Sequence, residues 1–158
     1  ANINAQGNSS DNVLDGNDSD NHLDGGRGND FLLGRGGNDV LTGGLGIDQL
    51  TGGAGNDAFV FSSPLSVANC DVITDFDHTA DSFRLQNSVM QTLGANGALK
   101  SGYFFAGTSA HDADDHIVYD QVTGALFYDS NGNVAGGVTQ LATLTNNPTL
   151  LADDFFVI

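Results

Sequence analysis

The chain has 158 residues, the length of one domain or of a repeat segment with a cap. Its 20 acidic residues are all aspartates, and with only four lysines and arginines the formal net charge is −16. Such a surface excludes nucleic acid and anionic membranes as natural partners and favours a multivalent cation. A single cysteine excludes an internal disulfide, and neither a membrane-spanning apolar run nor an N-terminal secretory signal is visible. The 22 glycines, together with aspartate and asparagine, predict β-structure with many tight turns.

A nine-residue repeat fills the first part of the chain. Residues 25–60 follow the pattern Gly-Gly-x-Gly-x-Asp-x-apolar-x, with Arg35 as the one exception to the glycines. The repeats start at Gly7, Gly16, Gly25, Gly34, Gly43 and Gly52. Their eighth positions are Leu14, Leu23, Leu32, Leu41, Leu50 and Phe59. A flexible polar linker would have no reason to keep this apolar period, so the repeats predict short strands that each point one side chain into a narrow core.

This nonapeptide resembles the repeat of the RTX, or haemolysin-type calcium-binding, family. The resemblance implies an all-β fold: a right-handed parallel β-roll over residues 1–61, followed by a β-rich C-terminal cap over residues 62–158. Two repeats make one coil, so Asp30 stacks over Asp48 on one edge and Asp39 stacks over Asp57 on the other. Stacked carboxylates repel each other unless a cation lies between them, and calcium accepts both carboxylate and carbonyl oxygens.

The family geometry implies which residues would hold the ions. The earlier turn supplies the carbonyls of its second and fourth positions and its aspartate, and the later turn supplies its first and third carbonyls and its aspartate. The first implied site consists of Gly26, Gly28, Asp30, Gly43, Leu45 and Asp48. The second implied site consists of Arg35, Gly37, Asp39, Gly52, Ala54 and Asp57. Because a carbonyl ligand does not depend on its side chain, Arg35 fits this role, although its Cβ would strain the turn.

The sites at the two ends of the repeat region depart from this pattern. Asn12 and Asn21 replace the sixth-position aspartate, so the sites that pair them with Asp30 and Asp39 are expected to be weak or empty. The later-turn carbonyls at these two sites would come from Gly25 and Arg27, and from Gly34 and Gly36. After the roll, Asp71 begins an Asp-x-Ile-x-Asp-Phe stretch that resembles the segment following the roll in RTX proteins. This resemblance implies that Asp71 completes a last site with Gly44, Gly46 and Asp48; the alternative is that it caps a strand turn. About four calcium ions are expected in total.

Past the repeats, the sequence predicts a loop and then a series of cap elements. The expected elements are a loop at 62–69, strands at 71–76 and 81–85, a short helix within 86–99, a hairpin of 116–119 with 125–128, and strands at 138–144 and 154–158.

Other motifs give weaker signals. Residues 129–133 resemble the start of an EF-hand loop, but Gln140 stands where the bidentate acid is required. The acidic and histidine-containing segment 111–116 fits no metal template and is interpreted as a solvated loop. The sequence contains no nucleophile elbow, zinc-protease motif or phosphate loop, and Cys70 is interpreted as a half-buried small residue. The chain is therefore expected not to be an enzyme by itself.

The resemblance also implies a function. We expect a calcium-binding module at the C-terminus of a larger exported protein, which folds when calcium binds and assists secretion. Residues 153–158 resemble the acidic-then-apolar tail of type I secretion substrates, which implies the type I machinery as a partner and an extracellular location outside a Gram-negative bacterium. The alternative is a carbohydrate-binding accessory module, like the repeat modules of secreted alginate epimerases. A polysaccharide or an upstream domain of the parent protein is a further possible partner, whereas nucleic acid binding and membrane insertion are not expected.

Overall fold

The computed structural model describes all 158 residues and contains strands and three short 3₁₀ helices. The strands are β1 (Asn4–Gln6), β2 (Val13–Asp15), β3 (His22–Arg27), β4 (Phe31–Gly36), β5 (Val40–Leu45), β6 (Gln49–Ala54), β7 (Ala58–Phe61), β8 (Asp71–Ile73), β9 (Ser82–Leu85), β10 (Gly97–Ala98), β11 (Phe104–Ala106), β12 (Ile117–Asp120), β13 (Ala125–Asp129), β14 (Val138–Leu144) and β15 (Phe155–Val157). The 3₁₀ helices are Gln91–Leu93, Ser101–Tyr103 and Ala152–Asp154. None of them has the length or hydropathy needed to cross a bilayer. The predicted all-β fold class is confirmed.

The repeats form two parallel sheets that share one core. The odd-numbered repeat strands lie in a sheet of order β1-β3-β5-β7-β9-β15-β10, and the even-numbered repeat strands lie in a sheet of order β11-β12-β13-β14-β8-β6-β4-β2. Leu14 pairs with Leu32, which pairs with Leu50, so each step along a sheet is 18 residues. Two repeats therefore make one coil, as the sequence predicts.

Apolar side chains from every coil stack between the sheets. The eighth-position residues of the repeats are almost completely buried, and Ile73 and Phe83 continue the two stacks beyond the last repeat. The Phe76 and Phe83 rings stack with centroids 4.3 Å apart, and Phe155 stacks on Phe83 at 4.9 Å. One continuous apolar cluster thus joins the roll to the cap.

The cap agrees with most of the predicted elements. β12 and β13 form the expected antiparallel hairpin, and β14 has the predicted bounds. The short helix expected within 86–99 is present only as the three-residue 3₁₀ helix Gln91–Leu93. Gly94 and Gly97 adopt φ values of 86° and 132°, a backbone that a helix cannot continue through, and β10 follows.

Candidate metal centre

The turns of alternate repeats stack along two edges of the roll, and glycine permits their close approach. A Cβ on Gly44 would collide with the carbonyl oxygen of Gly26, and a Cβ on Gly46 would collide with that of Gly28. Both later glycines also have positive φ values, 108° and 140°. The carbonyls of the second and fourth positions therefore face the next turn on the same edge.

The second edge repeats this arrangement. The carbonyl oxygens of Arg35 and Gly37 face Gly53 and Gly55, where a Cβ would collide with them. Arg35 itself has φ = 81°, so the strain expected from its Cβ is present. Its guanidinium pairs with Asp15, with Nη2 2.6 Å from Oδ2.

A ladder of aspartates runs along each edge. The Asp48 carboxylate accepts the Asp30 N–H at 2.7 Å through Oδ1, and Asp57 accepts the Asp39 N–H at 2.8 Å in the same way. The second oxygen, Oδ2, of all four aspartates is buried and accepts no hydrogen bond. Buried carboxylate oxygens without a partner are rare in native proteins, and a bound ion is one of the few explanations.

These unpartnered oxygens converge with carbonyls on spaces that only glycine leaves open. A Cβ on Gly25 would meet Asp30 Oδ2 and would lie 2.5 Å from the Gly43 carbonyl oxygen. A Cβ on Gly34 would meet Asp39 Oδ2 and would lie 2.5 Å from the carbonyl oxygen of Gly52. A cluster of carboxylate and backbone carbonyl oxygens is the donor set that calcium prefers. The residues present therefore fit this ion.

The implied carbonyl ligands of the later turns also lie close to the backbone of the turn before them. The Leu45 carbonyl accepts the N–H of Gly28 at 2.9 Å, which leaves its second lone pair available. The Ala54 carbonyl oxygen lies 3.8 Å from the position of a Cβ on Gly36. The Arg27 N–H donates to the Asn8 carbonyl at 2.8 Å and so ties the first two turns of that edge together.

Asp71 extends the first edge beyond the last repeat, as the sequence suggests. Its Oδ1 accepts the Asp48 N–H at 3.2 Å, which is the same bond that every aspartate of the ladder makes to the turn before it. Asn69 adds a contact, since its Oδ1 accepts the Gly46 N–H at 3.0 Å. Asp71 is therefore in position to complete the last gap on this edge.

Sequence reasoning missed two residues on the second edge. Asp81 Oδ1 accepts the Asp57 N–H at 2.9 Å, so Asp81 continues that ladder as Asp71 continues the first. Asp75 accepts the N–H groups of Gly52 and Gly53 at 3.0 and 2.8 Å. The sequence does contain a pattern that could have identified Asp81. Phe83, a buried apolar residue, follows it by two positions, as an apolar residue follows each sixth-position aspartate of the repeats.

Burial makes these carboxyl groups reluctant to ionise. It raises the pKa of Asp57 to about 6 and that of Asp71 to about 8, and the nearby Asp48 charge adds to the effect on Asp71. Burial likewise raises the pKa values of the remaining ladder residues, Asp30, Asp39, Asp48 and Asp81. A divalent cation in the gaps would reverse this trend, because it stabilises the ionised form.

The cap offers no comparable site at segments 111–116 and 129–133. His111 Nδ1 lies 2.8 Å from Asp115 Oδ2, and that oxygen also accepts the backbone N–H groups of His111 and Asp112, so Asp115 closes a turn. Asp129 Oδ1 accepts the Asn131 N–H at 3.0 Å, which is another turn. Burial raises the pKa of the Cys70 thiol, the opposite of what an activated nucleophile requires.

Comparison with known proteins agrees with the site. Residues 4–32 and 33–62 match the family model of the RTX calcium-binding nonapeptide repeat, in four copies. Residues 4–62 are RTX calcium-binding repeats. No curated protein matches the sequence at a significant level.

The similarity of this chain to solved structures extends beyond the RTX repeats. The solution structure of the AlgE6R3 subunit of the Azotobacter vinelandii mannuronan C5-epimerase is 27% identical, with a TM-score of 0.59 over 94% of this chain and 79% of that one. The AlgE6R2 subunit of the same enzyme is also 27% identical, with a TM-score of 0.56 over 98% of this chain and 91% of that one. The RTX roll and the segment after it therefore share their fold with these subunits.

Proposed function

We propose that this chain is a calcium-dependent folding and secretion module of a larger exported bacterial protein and has no catalytic activity of its own. The observation that carries the proposal is the set of four buried aspartate oxygens that accept no hydrogen bond, namely Oδ2 of Asp30, Asp39, Asp48 and Asp57. Each lies in a stacked turn of an RTX repeat, a family named for calcium binding. About four ions are expected, counting the gaps that Asp71 and Asp81 extend.

Calcium would supply charge neutralisation, and the chain's own residues would supply the rest of the folding energy. Without a cation the two ladders bring buried carboxyl groups within one coil of each other, in a chain whose formal net charge is −16. A site at ten times its dissociation constant adds about 1.4 kcal/mol, so four sites add roughly 5 to 6 kcal/mol. That sum is comparable with the whole stability of an ordinary domain, so folding should depend on the ion.

The expected affinity suits a protein that leaves the cell unfolded. Extracellular calcium modules bind with dissociation constants of about 10⁻⁴ to 10⁻³ M. Below that concentration a glycine-rich, highly charged repeat segment has the composition of a disordered chain. The chain would therefore stay unfolded during export and fold outside, where calcium is available.

The position of residues 153–158 in the fold determines when a secretion signal there would be accessible. β15 (Phe155–Val157) lies between β9 and β10, and Phe155 and Val157 are buried. A secretion signal that includes these residues would be accessible only in the unfolded chain. Calcium-dependent folding would then hide the signal once export is complete.

Circular dichroism during a calcium titration tests the folding proposal. We expect a disordered spectrum in chelator and a β-sheet spectrum at millimolar calcium, with magnesium as the matched control that does not fold the chain. A spectrum that is the same in chelator and in calcium would refute the proposal. Export of a fusion protein with and without residues 153–158, from cells that carry a type I system, tests secretion separately.

A polysaccharide-binding role is the second candidate. It is favoured by the two similar structures, which are subunits of an enzyme whose name states mannuronan as its substrate. It is opposed by electrostatics, because the surface is strongly acidic and Arg35 is already paired with Asp15. Binding to a glycan array at fixed calcium separates the two candidates, since the folding module alone would give no signal.

A further inference from the structure

The gap between turns 16–21 and 34–39 differs from the gap that follows it on the same edge. In the later gap, Asp39 Oδ2 and the Gly52 carbonyl oxygen converge on the space beside Gly34. In the earlier gap, Asn21 occupies the equivalent position, and its nitrogen, Nδ2, enters the space beside Gly16. A hydrogen-bond donor thus stands where the other turns of this edge present an oxygen.

The Asn21 amide is fully engaged in this position. Nδ2 donates to the carbonyl oxygen of Asn17 at 2.9 Å, to that of Gly34 at 3.2 Å and to Asp39 Oδ1 at 2.8 Å. Oδ1 accepts the Ile3 N–H at 3.1 Å. The residue is only 3% exposed, so these bonds form away from solvent.

The surrounding atoms determine which way the amide points. If the side chain were rotated by half a turn, its oxygen would face three other oxygens and its nitrogen would face the Ile3 N–H. The bonded Gly34 carbonyl is also the oxygen that corresponds to Gly52 in the later gap. The amide therefore contacts one of the groups that would otherwise face an ion.

We propose that Asn21 closes this gap to calcium and replaces the ion with a neutral hydrogen-bonded clamp. The inference rests on the proposed calcium function of the later turns. It means that the first coil on this edge is held together without metal, and that the calcium requirement is confined to the coils nearer the cap. Those coils would stack on a coil whose clamp forms independently of the ion.

Asn12 provides a contrast on the other edge. There the side-chain oxygen, Oδ1, and the Gly25 carbonyl oxygen converge on the space beside Gly7. Oδ1 accepts the Asn8 N–H at 2.8 Å, but it still faces the gap as an oxygen. This gap keeps oxygen donors without a formal charge, so it should bind calcium weakly, whereas the Asn21 gap should not bind it at all.

Equilibrium dialysis with calcium on the full chain and on two matched variants tests this difference. Asn21→Asp restores a carboxylate and should raise the number of ions bound at saturation by one. Asn12→Asp adds the same charge to a gap that is already open, so the number at saturation should stay the same and the weakest dissociation constant should fall about tenfold. An unchanged number of ions in Asn21→Asp would overturn the proposal.

Anomalous scattering from crystals of the unaltered chain grown in calcium decides the matter even if Asn21→Asp does not fold. We expect peaks between turns 34–39 and 52–57 and between turns 25–30 and 43–48, and no peak between turns 16–21 and 34–39. A peak at the Asn21 gap alongside the others overturns the clamp alone. The absence of every peak overturns the proposed function, and the clamp with it.

Discussion

Replacing Asp39 with asparagine should remove one calcium ion and leave the fold intact. The new amide would lie where Asn21 lies one coil earlier, and it could donate to the Gly52 carbonyl as Asn21 donates to Gly34. The Asn21 amide already closes the gap before Asp39, so the variant should lose only the ion of the following gap.

The expected energetic effect of Asp39→Asn depends on calcium concentration. A site contributes about 1.4 kcal/mol at ten times its dissociation constant and about 2.7 kcal/mol at a hundred times, so the variant should be less stable by these amounts. At calcium concentrations well below the dissociation constant, Asp39→Asn should be more stable than the unaltered chain. Burial raises the pKa of Asp39, so the unaltered chain carries an unfavourable carboxylate that the amide removes.

Urea unfolding followed by circular dichroism, at a series of buffered calcium concentrations, measures this directly. Each ion released on unfolding adds about 1.4 kcal/mol to the unfolding free energy per tenfold rise in calcium, so the slope for Asp39→Asn should fall by that amount. Asp20→Asn is the matched control, because it removes the same charge from an exposed position on the same edge and keeps an oxygen for the Asn38 N–H. If the unfolding free energy rises with the logarithm of calcium concentration at the same slope for Asp39→Asn and the unaltered chain, the assignment of Asp39 as a ligand is refuted.

Three further predictions concern pH, the core and the turn backbone. The raised pKa values of Asp57, about 6, and Asp71, about 8, mean that the fold holds these protons more tightly than the unfolded chain does. In chelator their stabilising contribution is complete below the unfolded value of 3.8 and is lost as the pH rises toward 8. Calcium affinity should rise over the same interval because the ion displaces these protons, and a dissociation constant independent of pH would contradict this. Leu41→Ala leaves a cavity at a fully buried position and should lower the unfolding free energy by about 2 to 5 kcal/mol in saturating calcium. Val40→Ala, at a half-buried position, should lower it less. Equal losses of unfolding free energy in urea would argue against the stacked core. Arg35→Gly relieves the strain of a side-chain-bearing residue at φ = 81° and should raise the urea midpoint of unfolding in calcium. The variant also loses the exposed ion pair with Asp15, which contributes little. A lowered midpoint would show that the ion pair contributes more to stability than the backbone strain costs.

The parts of the fold that repeat in sequence could be predicted from sequence. A period of nine with one apolar residue per repeat determines which side chains stack, and the structure places Leu32, Leu41 and Leu50 in that core. The pairing of Asp30 with Asp48 follows from the same period. These features depend only on spacing along the chain, which is visible without a structure.

The features that the sequence did not reveal depend on breaks in that spacing. Asp81 lies 24 residues after its partner Asp57 rather than 18, because a loop interrupts the repeat, and it was missed for this reason. Asn12 and Asn21 are equivalent in sequence, but they present opposite ends of their amides to the gap. That difference depends on neighbours such as Ile3, which lies outside the repeats.

The stacked aromatic rings at the junction have a consequence for anyone who wishes to transplant these coils. Phe59 and Phe83 lie side by side in neighbouring strands, and Phe155 covers Phe83 from the far end of the chain. A fragment cut after Phe61 would expose the rings of Phe59 and Phe61 to water and would tend to self-associate through them. A calcium-responsive graft should therefore carry the downstream strands as a lid, or replace both rings with polar residues.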